Sequence, residues 1–141
     1  MVWIERALAL AIDDRQLAEH GGIAGVRDLA RLESALARPQ QVHADGNPEP
    51  DLADLAASLA YGIARNHPSM DGNQRTAHVC YRVSLALNGT ELFAADEDKY
   101  VAMIALAEGR LAQADFAAWL REHLRSGASR PVNEPRPRRL R

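Results

Sequence analysis

The sequence predicts an all-α fold, and three features of its 141 residues support this prediction. Alanine and leucine dominate the apolar residues while aromatic residues make up only 5%, a composition that favours helices over sheets. Apolar residues recur at intervals of three and four, which is typical of amphipathic helices. Capping residues, glycines and prolines separate these runs where helices are expected to begin and end. About six helices in a single domain therefore account for the chain.

The first two predicted helices are bounded by clear stop signals. The first covers about residues 5–20 and ends at Gly21-Gly22, and the second starts near Asp28, a good N-cap, and stops before Pro39. The segment 39–50 contains three prolines and Gly46, so it is predicted to form a loop or a short hairpin. The apolar residues near one face of the first helix are Leu8, Ala11, Ile12 and Leu17, and those of the second are Leu29, Leu32 and Leu36.

The next two helices flank the loop that carries the functional interpretation. Asp51 is expected to cap the third helix, which extends to Asn66 and carries an apolar stripe. The fourth begins at Asn73 or Gln74 and stops at Asn88-Gly89, where a glycine can adopt the left-handed conformation. The stripe of the third helix consists of Leu52, Leu55, Leu59 and Ile63.

The last two helices complete the domain, which is predicted to cover residues 1–127. The fifth spans about 96–108, before Gly109, and the sixth spans about 115–126, with Phe116, Leu120 and Leu124 as its stripe. Residues 128–141 contain three prolines, five arginines and one glutamate, a composition that predicts disorder.

Charge and cysteine content exclude several classes of function. The formal net charge is −2, and because the tail 128–141 carries +4, the body carries −6. Such a body is not expected to bind nucleic acid directly, since phosphate contacts need clustered lysine and arginine. The single Cys80 excludes an intramolecular disulfide. The sequence has no apolar run long enough to cross a membrane and no signal-peptide pattern, so we expect a cytoplasmic protein.

The loop between the third and fourth helices combines several groups suited to phosphoryl transfer. It reads HPSMDGNQR, residues 67–75. The backbone N–H groups of Gly72, Asn73 and Gln74, at the start of a helix, form a site for an anion. Arg75 in the first helical turn is unfavourable for the helix itself, and a bound phosphate relieves this conflict. Asn73 could also be a plain N-cap, and Gln74 could simply face solvent.

Two residues of the same loop are candidates for the chemistry itself. His67 is the candidate general base, because a neutral imidazole can accept a hydroxyl proton near neutral pH. Asp71 is the candidate ligand for Mg²⁺, which usually takes one or two protein carboxylates together with phosphate oxygens. Taken singly, His67 could be a helix-end residue and Asp71 an ordinary turn residue. Their combination points to nucleotide-dependent transfer, with ATP or another nucleoside triphosphate and Mg²⁺ as cofactors.

The residues from His67 to Ala77 resemble the signature H-P-F-x-x-G-N-K-R-T-A of the Doc (death-on-curing) branch of the Fic/Doc superfamily. The resemblance covers about residues 3–125. It implies a helical transferase toxin of a toxin–antitoxin pair, which moves phosphate, or AMP in the related branch, from a nucleotide to a protein hydroxyl. Elongation factor Tu is a candidate target and a Phd-like antitoxin the expected partner. The further segments that carry the resemblance are 19–22, 25–28, 32–40, 61–66 and 87–89.

Two positions depart from the family's pattern. Ser69 replaces a phenylalanine and Gln74 replaces the lysine of the Doc branch. The AMP-transferring branch has glycine at the position of Gln74 and a second arginine where this chain has His78. One alternative is therefore a catalytically weakened Doc homologue that binds nucleotide or protein. Another alternative, which disregards the resemblance, is a helical interaction module.

The segment 40–47 has a counterpart in the family. In Fic/Doc proteins it forms a flap over the site that pairs with the backbone of the target. The resemblance implies the same role here, by addition of a target strand to a short edge. From the residues alone, a plain linker is an equally good interpretation of this segment.

Overall fold

The computed structural model describes residues 1–20, 29–46, 48–66 and 73–126. Six α-helices and two short strands lie within these ranges, so the all-α prediction is confirmed, with one small sheet in addition. The elements are α1 (Arg6–His20), α2 (Leu29–Asp45), α3 (Leu52–Asn66), α4 (Asn73–Leu87), β1 (Thr90–Leu92), α5 (Asp96–Ala107), α6 (Gln113–His123) and β2 (Leu124–Ser126).

Helix α3 lies at the centre of the fold and packs against α2, α4 and α6. Its predicted stripe is confirmed: Leu55, Leu59 and Ile63 are buried, and Leu52 is half-buried against the same core. Small residues let its neighbours approach closely: a Cβ atom added at Gly62 would lie 3.4 Å from the Cα atom of Ala35 in α2. The buried alanines of α3 are Ala53, Ala56, Ala57, Ala60 and Ala64.

Helix α4 follows the candidate loop and packs against both α3 and α1. Its core face carries Cys80, Tyr81 and Leu85, all of which are buried. The helix stops where the sequence predicts, and Gly89 has a φ of 77°. That conformation is one that residues with a Cβ atom rarely adopt, so the glycine explains the stop.

The prediction that the second helix stops before Pro39 is wrong. Helix α2 continues through a buried Pro39 to Asp45, so residues 40–45 do not form the predicted loop, hairpin or flap. Proline removes one backbone donor and normally interrupts a helix. Here the apolar residues on the core side of α2, among them Leu32, Ala35 and Leu36, are buried, and their packing outweighs that local cost.

Two further predictions need correction at the ends of the chain. Leu8 and Ala11 are exposed, whereas Ile12 is buried as predicted, and Ala9 and Asp13 of the same helix are buried as well. The side chain of Leu17 lies outside the described part of the chain. The sixth helix ends at His123, and Leu124 lies in β2 rather than on a helical stripe.

The two strands pair antiparallel, with Thr90 opposite Ser126 and Leu92 opposite Leu124. They join the chain after α4 to the chain after α6. The predicted stop at Gly21-Gly22, the cap at Asp28 and the tail 128–141 lie outside the described residues. Among the described helices, none combines the length and the hydropathy needed to cross a bilayer.

Candidate functional site

The first turn of α4 has the charge pattern of an anion site. The helix begins at Asn73, as predicted, and its first turn contains no acidic residue. Arg75 lies in this turn with an exposed side chain, and within the described residues it makes no ion pair. A helix N-terminus and a guanidinium therefore place positive charge at one end of α4, where a phosphate is favoured.

Arg75 faces a cavity of about 410 Å³ between α1, α4 and α5. The cavity combines apolar side chains with a few polar groups at its edge, as small-molecule and peptide sites commonly do. Tyr100 of α5 is 62% exposed and forms part of its wall. The lining residues are Gln16, Arg75, His78, Val79, Tyr100, Met103 and Ile104.

A buried hydrogen bond fixes the first turn of α4 against α1. The Thr76 hydroxyl donates to Oδ1 of Asp13 over 2.7 Å, and both residues are almost fully buried. A buried carboxylate is costly unless it is hydrogen-bonded, so this contact holds the two helices in one relative position. The position and direction of the N–H groups at the start of α4 depend on that packing.

His78 lies one turn after Arg75 and is held in its neutral form. Burial, followed by the positive charges of Arg82 and Lys99, lowers the pKa of the His78 ring to about 4. Its Nδ1 atom has no hydrogen-bond partner among the described residues, and its ring packs edge-on against Tyr81 at 5.6 Å. His78 therefore does not supply the positive charge that the second arginine of the AMP-transferring branch provides.

Cys80 occupies the core side of the same helix. Burial raises the pKa of its thiol to about 12, and the side chain is inaccessible. The thiolate is the nucleophilic form, so Cys80 is a core residue and not a nucleophile.

Several predicted site residues fall outside the part of the chain that the structure describes. His67, Asp71 and Gly72 are among them. Asn73 and Gln74 open α4, but only their backbone is described. Within the described ranges, no cluster of three or more His, Cys, Asp or Glu residues could hold a metal ion. The assigned roles of His67, Asp71, Gly72, Asn73 and Gln74 therefore stay predictions.

Comparison with known proteins decides the family. A model of the Fic/DOC family matches residues 3–85, which is more than half of the chain. The chain belongs to the Fic/DOC family. The matched part begins before α1 and ends near the C-terminus of α4, so it contains the whole candidate loop.

Two relatives place the chain in the Doc branch of the Fic/DOC family. It is 45% identical to Toxin Doc of Mycolicibacterium smegmatis over 78 residues, which are 55% of this chain and 59% of that relative. It is 30% identical to Protein kinase doc of Escherichia phage P1 over 88 residues, 62% of this chain and 69% of the phage protein. The chain thus matches less than two thirds of the length of the mycobacterial relative.

Sequence reasoning missed two structural features of this Fic/DOC chain. The contact between Asp13 and Thr76 had a visible signal, because Asp13 lies one turn after Ala9 and therefore shares its face of α1, which is otherwise apolar there. The contribution of α5 to the cavity had no such signal in the sequence. Its residues Tyr100, Met103 and Ile104 are separated from the loop by about 30 positions and lie beyond residues 3–85, which match the family model.

Proposed function

We propose that this protein is a Doc-like toxin of a toxin–antitoxin pair that transfers the γ-phosphate of a nucleotide to a hydroxyl of a cytoplasmic target protein. The single observation that carries the proposal is the phosphate-compatible start of α4 in a Fic/DOC chain: the first turn of this helix holds Arg75 and no acidic residue, and Arg75 makes no ion pair with any other described residue. The names of the relatives, Toxin Doc and Protein kinase doc, support the same reading.

The roles of the residues follow from charge and position. The N–H groups of Gly72, Asn73 and Gln74 and the guanidinium of Arg75 hold the phosphates of ATP. His67 accepts the proton of the attacking hydroxyl. A bound Mg²⁺ neutralises charge on the phosphate oxygens, and Asp71 is its proposed ligand. Catalysis in this scheme comes mainly from positioning and electrostatics, which the fixed packing of α4 on α1 supports.

Phosphate transfer is proposed over AMP transfer because of Gln74 and His78. The AMP-transferring branch has glycine and arginine at these two positions, and the neutral His78 cannot replace the arginine charge. Gln74 is as bulky as the lysine of the Doc branch but lacks its charge, so nucleotide binding is expected to be weak. Gln74→Lys should strengthen it by about 1 kcal/mol, the scale of a partly solvated charge contact.

The proposed partner is an antitoxin that covers the cavity beside Arg75. Tyr100 and Val101 on α5 are each 62% exposed, so this helix offers apolar surface that an amphipathic helix could bury. The charge of −6 on residues 1–127 favours a basic antitoxin segment and faster association at low salt. Elongation factor Tu is the proposed target on the basis of the family resemblance.

Mass spectrometry of a lysate incubated with the protein, Mg²⁺ and ATP tests the proposal. The expected result is one target peptide that gains a phosphate and that stays unmodified in a parallel reaction with His67→Ala. Addition of AMP to the target peptide, in place of phosphate, would contradict the proposed transfer of the γ-phosphate.

A second candidate function is supported by the two departures from the signature. Ser69 and Gln74 fit a weakened Doc homologue that binds nucleotide or protein without turnover. Two results together would favour this second function. The protein would bind ATP without modifying any lysate protein, and a bacterial host that expresses the chain alone would grow normally.

A further inference from the structure

Two arginines from different helices share one tyrosine ring on the side of α3 that faces α6. The Cζ atom of Arg38 lies 5.3 Å from the centroid of the Tyr61 ring, and that of Arg65 lies 5.9 Å from it. Arg38 donates to Oε1 of Gln113 and Arg65 donates to the carbonyl oxygen of Ala107, each over 3.0 Å. Both acceptors are neutral, so these bonds orient the guanidinium groups without balancing their charge.

Among the residues that the structure describes, no carboxylate lines the cavity that these groups surround, which has a volume of about 340 Å³. Within the described residues, neither Arg38 nor Arg65 makes an ion pair. Glu108 is paired with Arg110 at 2.8 Å, and Asp115 is exposed in the first turn of α6 and does not line the cavity. The lining residues are Arg38, Tyr61, Arg65, Gly109, Leu111, Ala112 and Gln113.

The chain around the cavity adds donors and space. Helix α6 begins at Gln113, and no side chain caps its N-terminus through Ala112. The first N–H groups of a helix have no partner within the helix. Gly109 has a φ of 83°, and a Cβ atom there would lie 3.2 Å from Nη1 of Arg65, so the glycine leaves room for the guanidinium.

We propose that Arg38, Tyr61 and Arg65 form a binding site for a phosphate group. Two guanidinium charges beside one ring repel each other, and the ring quadrupole offsets only part of that repulsion. A dianion restores the balance, and a phosphate monoester carries about −1.5 to −2 at pH 7, whereas a carboxylate carries a single charge. Guanidinium forks also match phosphate oxygens in a bidentate geometry.

This site is separate from the one proposed at the start of α4. Arg75 lines a different cavity, between α1, α4 and α5, whereas Arg38 and Arg65 line the cavity between α2, α3 and the start of α6. The proposal does not depend on phosphoryl transfer, and it stands if the protein has no catalytic activity.

Titration with inorganic phosphate at constant ionic strength, followed by NMR of the backbone amides, tests the site. We expect saturable shifts at Gly109, Ala112 and Gln113 in the unmodified protein. The dissociation constant should rise by about tenfold or more in Arg38→Gln and in Arg65→Gln, since each removes a charge-assisted bond. A parallel titration with O-phosphoserine distinguishes the sources, because tighter binding than phosphate indicates a phosphorylated side chain and equal binding indicates the free ion.

Matched variants give the controls. Arg125→Gln removes an exposed arginine that, like Arg65, donates to a backbone carbonyl, and it should leave the affinity unchanged. Arg75→Gln should also leave the affinity that is measured at Gly109, Ala112 and Gln113 unchanged. That result would distinguish this site from the proposed nucleotide site. If Arg65→Gln does not fold, Arg65→Lys keeps the charge and should show an intermediate affinity. Absence of saturation, or equal weakening in Arg38→Gln and Arg125→Gln, would overturn the proposal.

Discussion

The hydrogen bond between Thr76 and Asp13 is the residue-scale contact on which the candidate site depends most directly. It joins α1 to the turn that also carries Arg75, so the direction of the helix N-terminus is set by a buried polar pair. Loss of the donor would leave a buried carboxylate with one partner fewer, and a buried polar group that loses a partner is expensive.

Thr76→Val should therefore destabilise the protein by about 1–3 kcal/mol, although the two side chains have the same shape. Denaturant unfolding of the two proteins measures the difference. Thr90→Val is the matched control, because Thr90 lies in β1, where a β-branched residue is well suited, and little change is expected. Equal stability of Thr76→Val and the unmodified protein would show that the bond is not important for the fold.

His78 makes stability depend on pH in a defined window. Burial lowers the pKa of its ring to about 4 from an ordinary value of 6.5, so the unfolded chain binds the proton first as pH falls. The stability that the neutral His78 ring contributes is therefore fully present above pH 6.5 and is lost as pH falls from 6.5 to 4. Because the ring is only partly buried, the loss is on the order of 1 kcal/mol.

Unfolding free energies at pH 7 and pH 4.5 check this effect, with His78→Gln as the control that lacks the titrating ring. The loss should be smaller in His78→Gln than in the unmodified protein.

Asp51 contributes to stability in a lower pH range, since its bonds to Arg121 lower its pKa from 3.8 to about 2. The stability that Asp51 contributes is lost only below about pH 4, so the two effects can be separated.

Helix α3 is the central element, and its start is held by a reciprocal cap. The backbone N–H of Asp54 donates to Oδ1 of Asp51 over 2.9 Å, and that of Asp51 donates to Oδ2 of Asp54 over 3.0 Å. Arg121 of α6 donates to both carboxylates, from 2.7 to 3.1 Å. The cap therefore also joins α3 to α6.

Asp51→Ala should destabilise the protein by about 1–2 kcal/mol, because it removes the cap and two of the bonds to Arg121. Thermal melts check this, with Glu49→Ala as a control at an exposed acidic position nearby, for which we expect almost no change. An equal loss in both variants would mean that general surface charge, and not the cap, is responsible.

At the scale of helices and strands, the sequence could predict those helix ends that are determined by neighbouring residues in the chain. Asp51 and Gly89 have chemistry that specifies a helix start and a helix stop, and both predictions are confirmed. Pro39 has equally strong local chemistry, yet the helix passes through it because the packing of α2 on α3 outweighs the lost bond. The prediction that placed Leu124 on a helix is wrong for a similar reason. Its pairing with β1 is a contact between residues far apart in the chain, which periodicity does not reveal.

At the scale of the whole molecule, the family and the all-α architecture could be predicted, whereas the neighbours of the site could not. The loop 67–75 is a local signature, but the cavity beside Arg75 also needs residues from α1 and α5. The pocket of Arg38, Tyr61 and Arg65 likewise appears only when α2, α3 and the start of α6 pack together. Such sites depend on tertiary packing, which the spacing of residues in the chain does not encode directly.

We propose that the loop before α4 carries the transfer of the γ-phosphate of ATP, with His67 as the base. The most direct test supplies ATP labelled at the γ- or the α-phosphate to the unmodified protein and to His67→Ala, with Mg²⁺ and a host lysate. We predict that label enters a target only from the γ position and that His67→Ala lowers the rate by about 10²–10⁴, as loss of a general base does. Label entering only from the α position, or an unchanged rate in His67→Ala, would contradict the account.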